Sequence, residues 1–318
     1  MSTPVPQSDF SRTAGPLLIA YMLNWGLYGV LSLQVYLYYL AFPRDRLGNK
    51  ALVYGTYLLE TAQVIIFTAN GFQTFAVGFG NPQVLNGVQT FWFAAPMLTG
   101  IVAFIAQIFY AYRISVLSQK RHVAALVTLF SLTQLAASFA IGIQVKDAGL
   151  FSRLLKRRAL ITVGVWQGSS AACDILIAIA MTYYLKSRDS GIEETHALVT
   201  RIIRLTIETG TLTATIAVVS LMLGYLPGQP SYYRTTVSVL AKLYSNSMMV
   251  VLNSRMRVVS ADSISMFHDV ALPHSQGSNT LASANSQSRS ALGITVTREE
   301  MAFRHPGYEK TTKSATSF

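Results

Sequence analysis

Charged residues are scarce in this 318-residue chain, and cysteine is almost absent. Only 12% of the residues are charged, half of the ~25% that is usual in a soluble protein, whereas 51% are hydrophobic and the mean hydropathy is +0.39. The single cysteine, Cys173, excludes a secreted domain built on disulfides. Because so few charges cannot cover the surface of a soluble protein of this length, the composition predicts an integral membrane protein in a lipid bilayer.

Long apolar runs are the main pattern along the chain. A run of about 18 or more mostly apolar residues is typical of a helix that crosses the ~30 Å hydrocarbon core of a bilayer. The alternating ten-residue segments of an outer-membrane β-barrel are missing. Seven windows have the helical pattern: about 16–42, 51–74, 88–112, 123–145, 160–185, 204–226 and 235–253. We therefore predict an all-α fold, with a short extracellular N-terminus over 1–15 and a seven-transmembrane helix bundle over 16–258.

The residues after 258 have a different character. Seventeen of the last 59 residues are Ser or Thr, and the apolar runs end there. A segment of this composition buries too little apolar surface to fold by itself. We expect 259–318 to be a disordered Ser/Thr-rich cytoplasmic tail, and it is a candidate contact for a cytoplasmic signalling partner.

Basic residues indicate the orientation in the membrane, because cytoplasmic loops usually carry the excess of Lys and Arg. With the N-terminus outside, twelve basic residues of the bundle fall on the inner face and seven on the outer face. We therefore expect the N-terminus outside, the C-terminus in the cytoplasm, and the plasma membrane rather than an internal membrane. Five of the seven outer charges lie in the loop before the fifth window, where interleaved Leu and Phe residues around Phe151 predict a short interfacial helix.

The formal net charge of +11 does not indicate nucleic-acid binding. It comes mainly from the inner face and the tail, as expected beside an anionic cytoplasmic leaflet. No helix-turn-helix, zinc ligand set or basic aromatic surface is present in the sequence. We expect no nucleic-acid partner.

Signatures of enzymes and metal sites are missing from the sequence. There is no His-Glu-x-x-His, no Gly-rich phosphate loop and no Gly-x-Ser-x-Gly elbow. None of the five histidines lies deep in an apolar window, which argues against an intramembrane metal site. Cys173 has no histidine partner nearby and is better explained as a packed small residue than as a nucleophile. We expect no enzymatic activity, no cofactor and no metal.

Polar residues recur at helical spacing inside the apolar windows. Lipid cannot form hydrogen bonds with them, so they must face other helices or a water-filled cavity. Hydrogen bonding between helices explains the Gln, Ser and Thr members, which include Gln63, Gln107, Ser170 and Ser245. The ionisable members are different, because each costs at least ~2.5 kcal/mol at the centre of a bilayer.

Counting 1.5 Å per residue from the predicted helix ends places Glu60, Asp174 and Lys242 in one midplane layer. Glu208 is nearer the inner face, one helical turn from Arg204, with which it can pair locally. Three acids and one base cannot be electrically neutral unless a carboxyl is protonated or a cation binds. We expect Lys242 to pair with Glu60 or Asp174, and we prefer Glu60, because the second and seventh helices are neighbours in receptor-like bundles. The candidate ligand-binding residues of this polar core are Glu60, Asp174, Lys242, Asn246 and Glu208.

Five short sequences at the predicted helix ends, taken together, resemble those of a known family. They are Tyr-Leu-Tyr-Tyr-Leu-Ala-Phe-Pro-Arg-Asp at 36–45, Gln-Ile-Phe-Tyr-Ala-Tyr-Arg at 107–113, Arg-Ile-Ile-Arg-Leu-Thr-Ile-Glu-Thr-Gly at 201–210, Lys-Leu-Tyr-Ser-Asn-Ser at 242–247 and Leu-Asn-Ser-Arg at 252–255. Together with Asp174, this pattern resembles the fungal (basidiomycete) seven-transmembrane family built on domain of unknown function 6534. The resemblance covers residues 14–258 and implies a seven-helix architecture in a fungal membrane. It implies no activity, because the family has none assigned.

Two better-understood seven-helix families differ from this sequence. Lys242 resembles the retinal-binding lysine of microbial rhodopsins, but the third window has no acidic counter-ion. The topology resembles that of G-protein-coupled receptors, but their Asp-Arg-Tyr and Asn-Pro-x-x-Tyr motifs and cysteine pair are missing. We expect a receptor-like protein with a small-ligand or ion site in the bundle core. The alternative is a transporter or ion-coupled carrier that uses the midplane residues Glu60, Asp174 and Lys242.

Overall fold

Helices make up nearly all of the chain that the computed structural model describes, which is residues 7–118, 121–153, 157–187, 193–225, 230–258 and 296–297. The eight α-helices of this part are α1 Gln7–Ala41, α2 Leu47–Phe72, α3 Pro82–Asn86, α4 Leu98–Ser118, α5 Arg121–Ala148, α6 Arg157–Ser187, α7 Glu193–Tyr225 and α8 Pro230–Asn253. A π-helical segment, Gln73–Val77, continues α2, and a second one, Phe93–Met97, leads into α4. The fold class is therefore all-α.

A second unit begins at Arg255. Its described part is one antiparallel pair of two-residue strands, β1 Arg257–Val258 and β2 Val296–Thr297. The rest of the segment for which we predict a disordered tail lies outside the described residues.

Among the described residues, five helical segments are long and apolar enough to cross a membrane: Thr13–Ala41, Leu47–Val77, Phe93–Ser118, Arg121–Ala148 and Arg157–Ser187. Helices α7 and α8 occupy the sixth and seventh predicted windows but do not meet this standard. The apolar part of α7 is only Gly210–Leu223, and α8 carries a series of buried polar side chains. Helix length and composition thus indicate an integral membrane protein, with five candidate spans in the part of the chain that is described. They do not establish the predicted count of seven spans.

The distribution of polarity is the reverse of that in a soluble protein. On α1, Leu18, Met22 and Trp25 are 48%, 66% and 52% exposed, whereas Glu60 of α2 and Lys242 of α8 are completely buried. Soluble monomers rarely expose such a continuous apolar surface, and they rarely bury charges. A lipid environment accounts for both features, because hydrocarbon solvates the outer surface and cannot solvate the polar interior.

Helices α1 and α8 run side by side in the same direction. Three hydrogen bonds join them at one constant offset of 219 residues: Thr235 to the carbonyl of Pro16, Asn246 to that of Leu27, and Asn253 to that of Gln34. A constant offset requires parallel axes, because in an antiparallel pair one number falls as the other rises. The side-chain hydrogen bonds between α1 and α2 have the antiparallel pattern: Trp25 bonds to Thr68 and Ser32 to Tyr57, so the number on α2 falls as that on α1 rises.

Helices α4 and α5 come unusually close together at Gly100. A Cβ atom at this position would lie 2.0 Å from the Ser138 hydroxyl and 2.6 Å from the Ser138 Cβ. Small residues at such crossings let two membrane helices approach closely. The side chain of Gln134, on α5, uses this proximity and donates to the carbonyl of Gly100 at 3.2 Å.

The loop before α6 packs against the bundle instead of lying free at the membrane surface. Phe151 begins a short 3₁₀ helix, Phe151–Arg153, and is only 4% exposed. Its ring contacts Phe91 edge to face at 5.2 Å, and the guanidinium of Arg234 lies 4.2 Å from its centroid. The predicted interfacial helix is therefore wrong at Phe151, because aromatic packing and a cation–π contact hold this side chain inside. Residues 154–156 of that prediction lie outside the described residues.

Candidate functional site

A completely buried ion pair joins α2 and α8. The ammonium group of Lys242 donates to the carboxylate of Glu60, and neither side chain is exposed. The expected pairing of Lys242 with Glu60 is confirmed. The same ammonium donates to the side-chain oxygen of Gln63 at 2.8 Å and approaches the backbone carbonyl of Glu60 at 3.4 Å.

Helical spacing explains why four polar residues meet at this point. Glu60 and Gln63 are three residues apart on one face of α2, and Lys242 and Ser245 are three apart on the facing side of α8. Ser245 donates to the second oxygen of the Glu60 carboxylate, and the Gln63 amide donates to the carbonyl of Ala94 at 2.8 Å. All three ammonium protons thus have an acceptor, and both carboxylate oxygens have a donor. The result is a neutral, fully bonded pair.

Asp174 lies in a second polar cluster, formed by α4, α6 and α8. Its carboxyl oxygens accept hydrogen bonds from the hydroxyl of Tyr244 at 2.6 Å and from the amide of Gln107 at 3.2 Å. Ser170, one turn before Asp174 on α6, lies 2.8 Å from the Tyr244 hydroxyl. The salt bridges Lys242–Glu60 and Arg204–Glu208 do not include Asp174. Its neighbours in the cluster are neutral hydrogen-bond donors.

A small cavity adjoins the Asp174 carboxyl. Its volume is about 20 Å³, and its wall is formed by side chains of α4, α6, α7 and α8. A space of this size holds about one water molecule. Gln107, Thr213 and Tyr244 contribute polar groups to the wall, and Ile177 contributes an apolar one. In the part of the chain that is described, no three His, Cys, Asp or Glu side chains converge on a common point, so the groups available to a ligand here are oxygens and amides.

The structure separates the five candidate residues that the sequence grouped together. Glu60 and Lys242 form one site, and Asp174 forms another. Asn246 lies against α1, where its amide donates to the carbonyl of Leu27 at 3.2 Å and to that of Lys242 at 2.7 Å. Asn246 thus joins two helices and does not enter the charged layer.

Glu208 does not belong to the polar core. Its carboxylate accepts from Arg204 at 2.7 Å, and the side chains are 53% and 77% exposed. The expected local pair is confirmed, but the placement of Glu208 in the core is wrong. The i, i+4 spacing lets the arginine neutralise the acid on the outside of α7.

Two residues that hold Asp174 were not among the candidates. Gln107 lies on the polar face of the third window, a signal that also fits ordinary hydrogen bonding between helices. Tyr244 is two residues from Lys242, which turns it to a different side of α8. The periodicity of a single helix cannot show that this side meets α6.

These features define a helical integral membrane protein with two buried polar centres. Residues 170–257 match the model of a family of unknown function (DUF6534). The matched part includes most of α6, all of α7 and α8, and with them Asp174, Tyr244 and Lys242. The match supports the resemblance to this domain of unknown function, and it assigns no activity. No curated protein and no solved structure matches the chain.

Proposed function

We propose that this chain is a receptor-like, seven-helix membrane protein with a small-ligand or ion site in its polar core. The observation that carries the proposal is the buried Lys242–Glu60 pair, which joins α8 to α2. A buried ion pair adds little net stability, because the desolvation of both charges offsets their attraction. Such a pair is either intact or broken, and a ligand that competes for one partner shifts that equilibrium. Release of the pair frees α8 to move against α2, which is the kind of helix shift that receptors use.

The parallel contacts of α1 and α8 support the count of seven spans. They extend from Pro16 to Gln34, a length of about 27 Å at 1.5 Å per residue. This part of α1 lies inside a candidate span, so α8 covers the same depth. Its polar side chains face the bundle and not lipid, which explains why its composition alone is too polar for a predicted membrane span. With α8 parallel to α1, α7 provides the return crossing.

The distribution of basic residues supports an outside N-terminus and a cytoplasmic C-terminus. In this orientation the C-terminal end of α8 lies at the cytoplasmic face, and the chain continues from there into the segment proposed to contact a signalling partner. A shift of α8 is thereby transmitted from the midplane to the cytoplasm. The plasma membrane is the proposed location.

A carrier is the second candidate, and the charge of Asp174 favours it. Pumps and ion-coupled transporters often place carboxylates near the midplane, and Asp174 forms no salt bridge with the basic residues described. The cavity beside it has a volume of only about 20 Å³, which is too small for most organic substrates. For this reason we prefer the receptor-like function.

Purified full-length protein in proteoliposomes distinguishes the two functions. We expect no proton or sodium flux above that of empty liposomes for the wild type. With a heterotrimeric G protein as the probe of signalling, we expect Glu60→Gln to raise nucleotide exchange above the wild-type level, because the α2–α8 contact is weakened. The matched control is Asp147→Asn, at an exposed acid of α5, which should leave exchange unchanged. Wild-type flux that Glu60→Gln abolishes and Asp147→Asn retains would contradict the receptor and establish the carrier.

A further inference from the structure

We infer that Asp174 is the anchor of a binding site for one alkali-metal cation, for which Na⁺ is the probe, between α4, α6, α7 and α8. This inference rests on the proposed function and assigns its ion to the second polar centre, at Asp174, and not to the Lys242–Glu60 pair. It follows from three independent features of the cavity: its charge, its oxygen atoms and its size.

The first feature is the charge that remains in the bundle core. Lys242 neutralises Glu60, whereas Asp174, the other buried acid of the two polar centres, forms no salt bridge with a described residue. Its two oxygens have neutral hydrogen-bond donors, Tyr244 and Gln107, which favour the ionised carboxylate but do not neutralise it. An isolated negative charge at this depth is strongly unfavourable. One monovalent cation removes it, whereas a divalent ion would leave an equally unfavourable positive charge.

The second feature is a buried oxygen that accepts no hydrogen bond. The side-chain oxygen of Gln107 has no partner, although the residue is only 1% exposed and lines the cavity. A buried acceptor of this kind beside a cavity can be satisfied by a ligand or a water in that cavity. The hydroxyls of Tyr244 and Thr213 lie in the same wall. A carboxylate, an amide oxygen and hydroxyls form a donor set that suits hard cations and does not suit transition metals.

The third feature is the size of the cavity. A volume of about 20 Å³ accommodates one water molecule or a bare ion of similar size. Organic cations do not fit, whereas a bare alkali ion does. The backbone at Gly210 contributes to this space, because the residue lines the cavity and has no side chain to fill it.

Thermal unfolding of the full-length protein in nanodiscs tests the site directly. NaCl is titrated against choline chloride at constant ionic strength, so that general screening does not change. A ligand that binds only the folded state stabilises it in proportion to the logarithm of its concentration. We expect Tm to rise by about 2–4 °C for each tenfold increase in Na⁺ above the dissociation constant. Equal Tm values in NaCl and choline chloride would overturn the inference.

Variants assign the response to Asp174. We expect Asp174→Asn to remove the sodium dependence and the exposed control Asp147→Asn to retain it. If Asp174→Asn does not fold, Gln107→Met keeps the carboxylate and removes the amide oxygen. This variant should raise the sodium concentration at half effect by about tenfold, the ratio that corresponds to one lost coordinating contact of ordinary strength. An unchanged sodium response in Asp174→Asn, or in Gln107→Met, would overturn the inference.

A proton is the competing occupant, and the same assay separates it from sodium. At about pH 8 an ordinary carboxyl is ionised, and sodium should stabilise the wild type fully there. Stabilisation by acid without any response to NaCl at that pH would overturn the cation site. The two assays also separate failure of the receptor proposal from failure of the cation site. If only the receptor proposal is wrong, Tm still depends on sodium but the G protein shows no nucleotide exchange.

Discussion

The ammonium group of Lys242 is in salt-bridge contact with the carboxylate of Glu60, and neither side chain has any exposed surface. The two residues are 182 positions apart in the chain and come from helices at opposite ends of the bundle sequence. Their contact converts two costly buried charges into a neutral unit, so that each residue depends on the other.

The first prediction concerns this dependence. Lys242→Met leaves the Glu60 carboxylate without its cation and should reduce the free energy of unfolding by about 3–5 kcal/mol. The double variant Lys242→Met with Glu60→Gln should be clearly less damaged, because no charge is then stranded. Unfolding of purified protein by denaturant measures the coupling in a double-mutant cycle.

The control for that cycle is Lys186→Met, the same substitution at an exposed residue of α6. It should change stability by no more than about 0.5 kcal/mol, as surface substitutions usually do. Strict additivity of the Lys242 and Glu60 substitutions would contradict the prediction.

The second prediction concerns the crossing of α4 and α5. Gly100→Ala places a methyl group into the Ser138 side chain and should destabilise the protein by about 1–3 kcal/mol through overpacking. Gly55→Ala in α2 is the matched control, because a Cβ there meets no atom within 4 Å. It should be neutral or stabilising, since Ala is favoured over Gly in a helix by about 1 kcal/mol. Thermal unfolding compares the two, and equal Tm values would show that the crossing is looser than described.

The third prediction concerns the parallel direction of α1 and α8. In a Cys173→Ala background, the pair Gln34→Cys and Asn253→Cys should be joined by a short bifunctional maleimide, because Asn253 donates to the Gln34 carbonyl at 2.9 Å. The control pair replaces Asn253→Cys with Ser238→Cys, fifteen residues away along α8, or about 22 Å. Mass spectrometry of cross-linked peptides should detect the first pair and not the second. The reverse result would mean that α8 runs antiparallel to α1.

The fourth prediction concerns topology. If twelve basic residues lie on the cytoplasmic face and seven outside, protease added to intact cells should spare an epitope tag at the C-terminus. The same tag should be digested after the cells are permeabilised. Digestion in intact cells would reverse the orientation and make the basic loop before α6 cytoplasmic.

Much of the architecture could be predicted from the sequence. Low charge and long apolar runs indicated membrane helices, because hydrocarbon excludes polar groups over a fixed thickness. Depth counting along straight helices brought Glu60 and Lys242 to the same level, since the rise per residue in a helix is constant. The preference for Glu60 over Asp174 came from analogy with receptor-like bundles, and the structure confirms that preference.

The division between the two polar centres came only from the tertiary structure. Depth gives the height of a residue in the membrane, but the rotation of each helix and the identity of its neighbours depend on the packing of the whole bundle. For this reason Glu208 was placed in the core, although it lies on the exposed side of α7 beside Arg204. For the same reason Tyr244 was missed as the partner of Asp174.

The sequence by itself determined that this protein lies in a lipid bilayer, that its fold is helical, and at which depth its buried charges lie. These properties depend on local composition and on the fixed geometry of a helix. Only the tertiary structure decided that Lys242 neutralises Glu60 and leaves Asp174 among neutral donors beside a cavity of about 20 Å³. That decision depends on contacts between residues of different helices that are 67 to 182 positions apart in the chain, and no local pattern encodes such contacts.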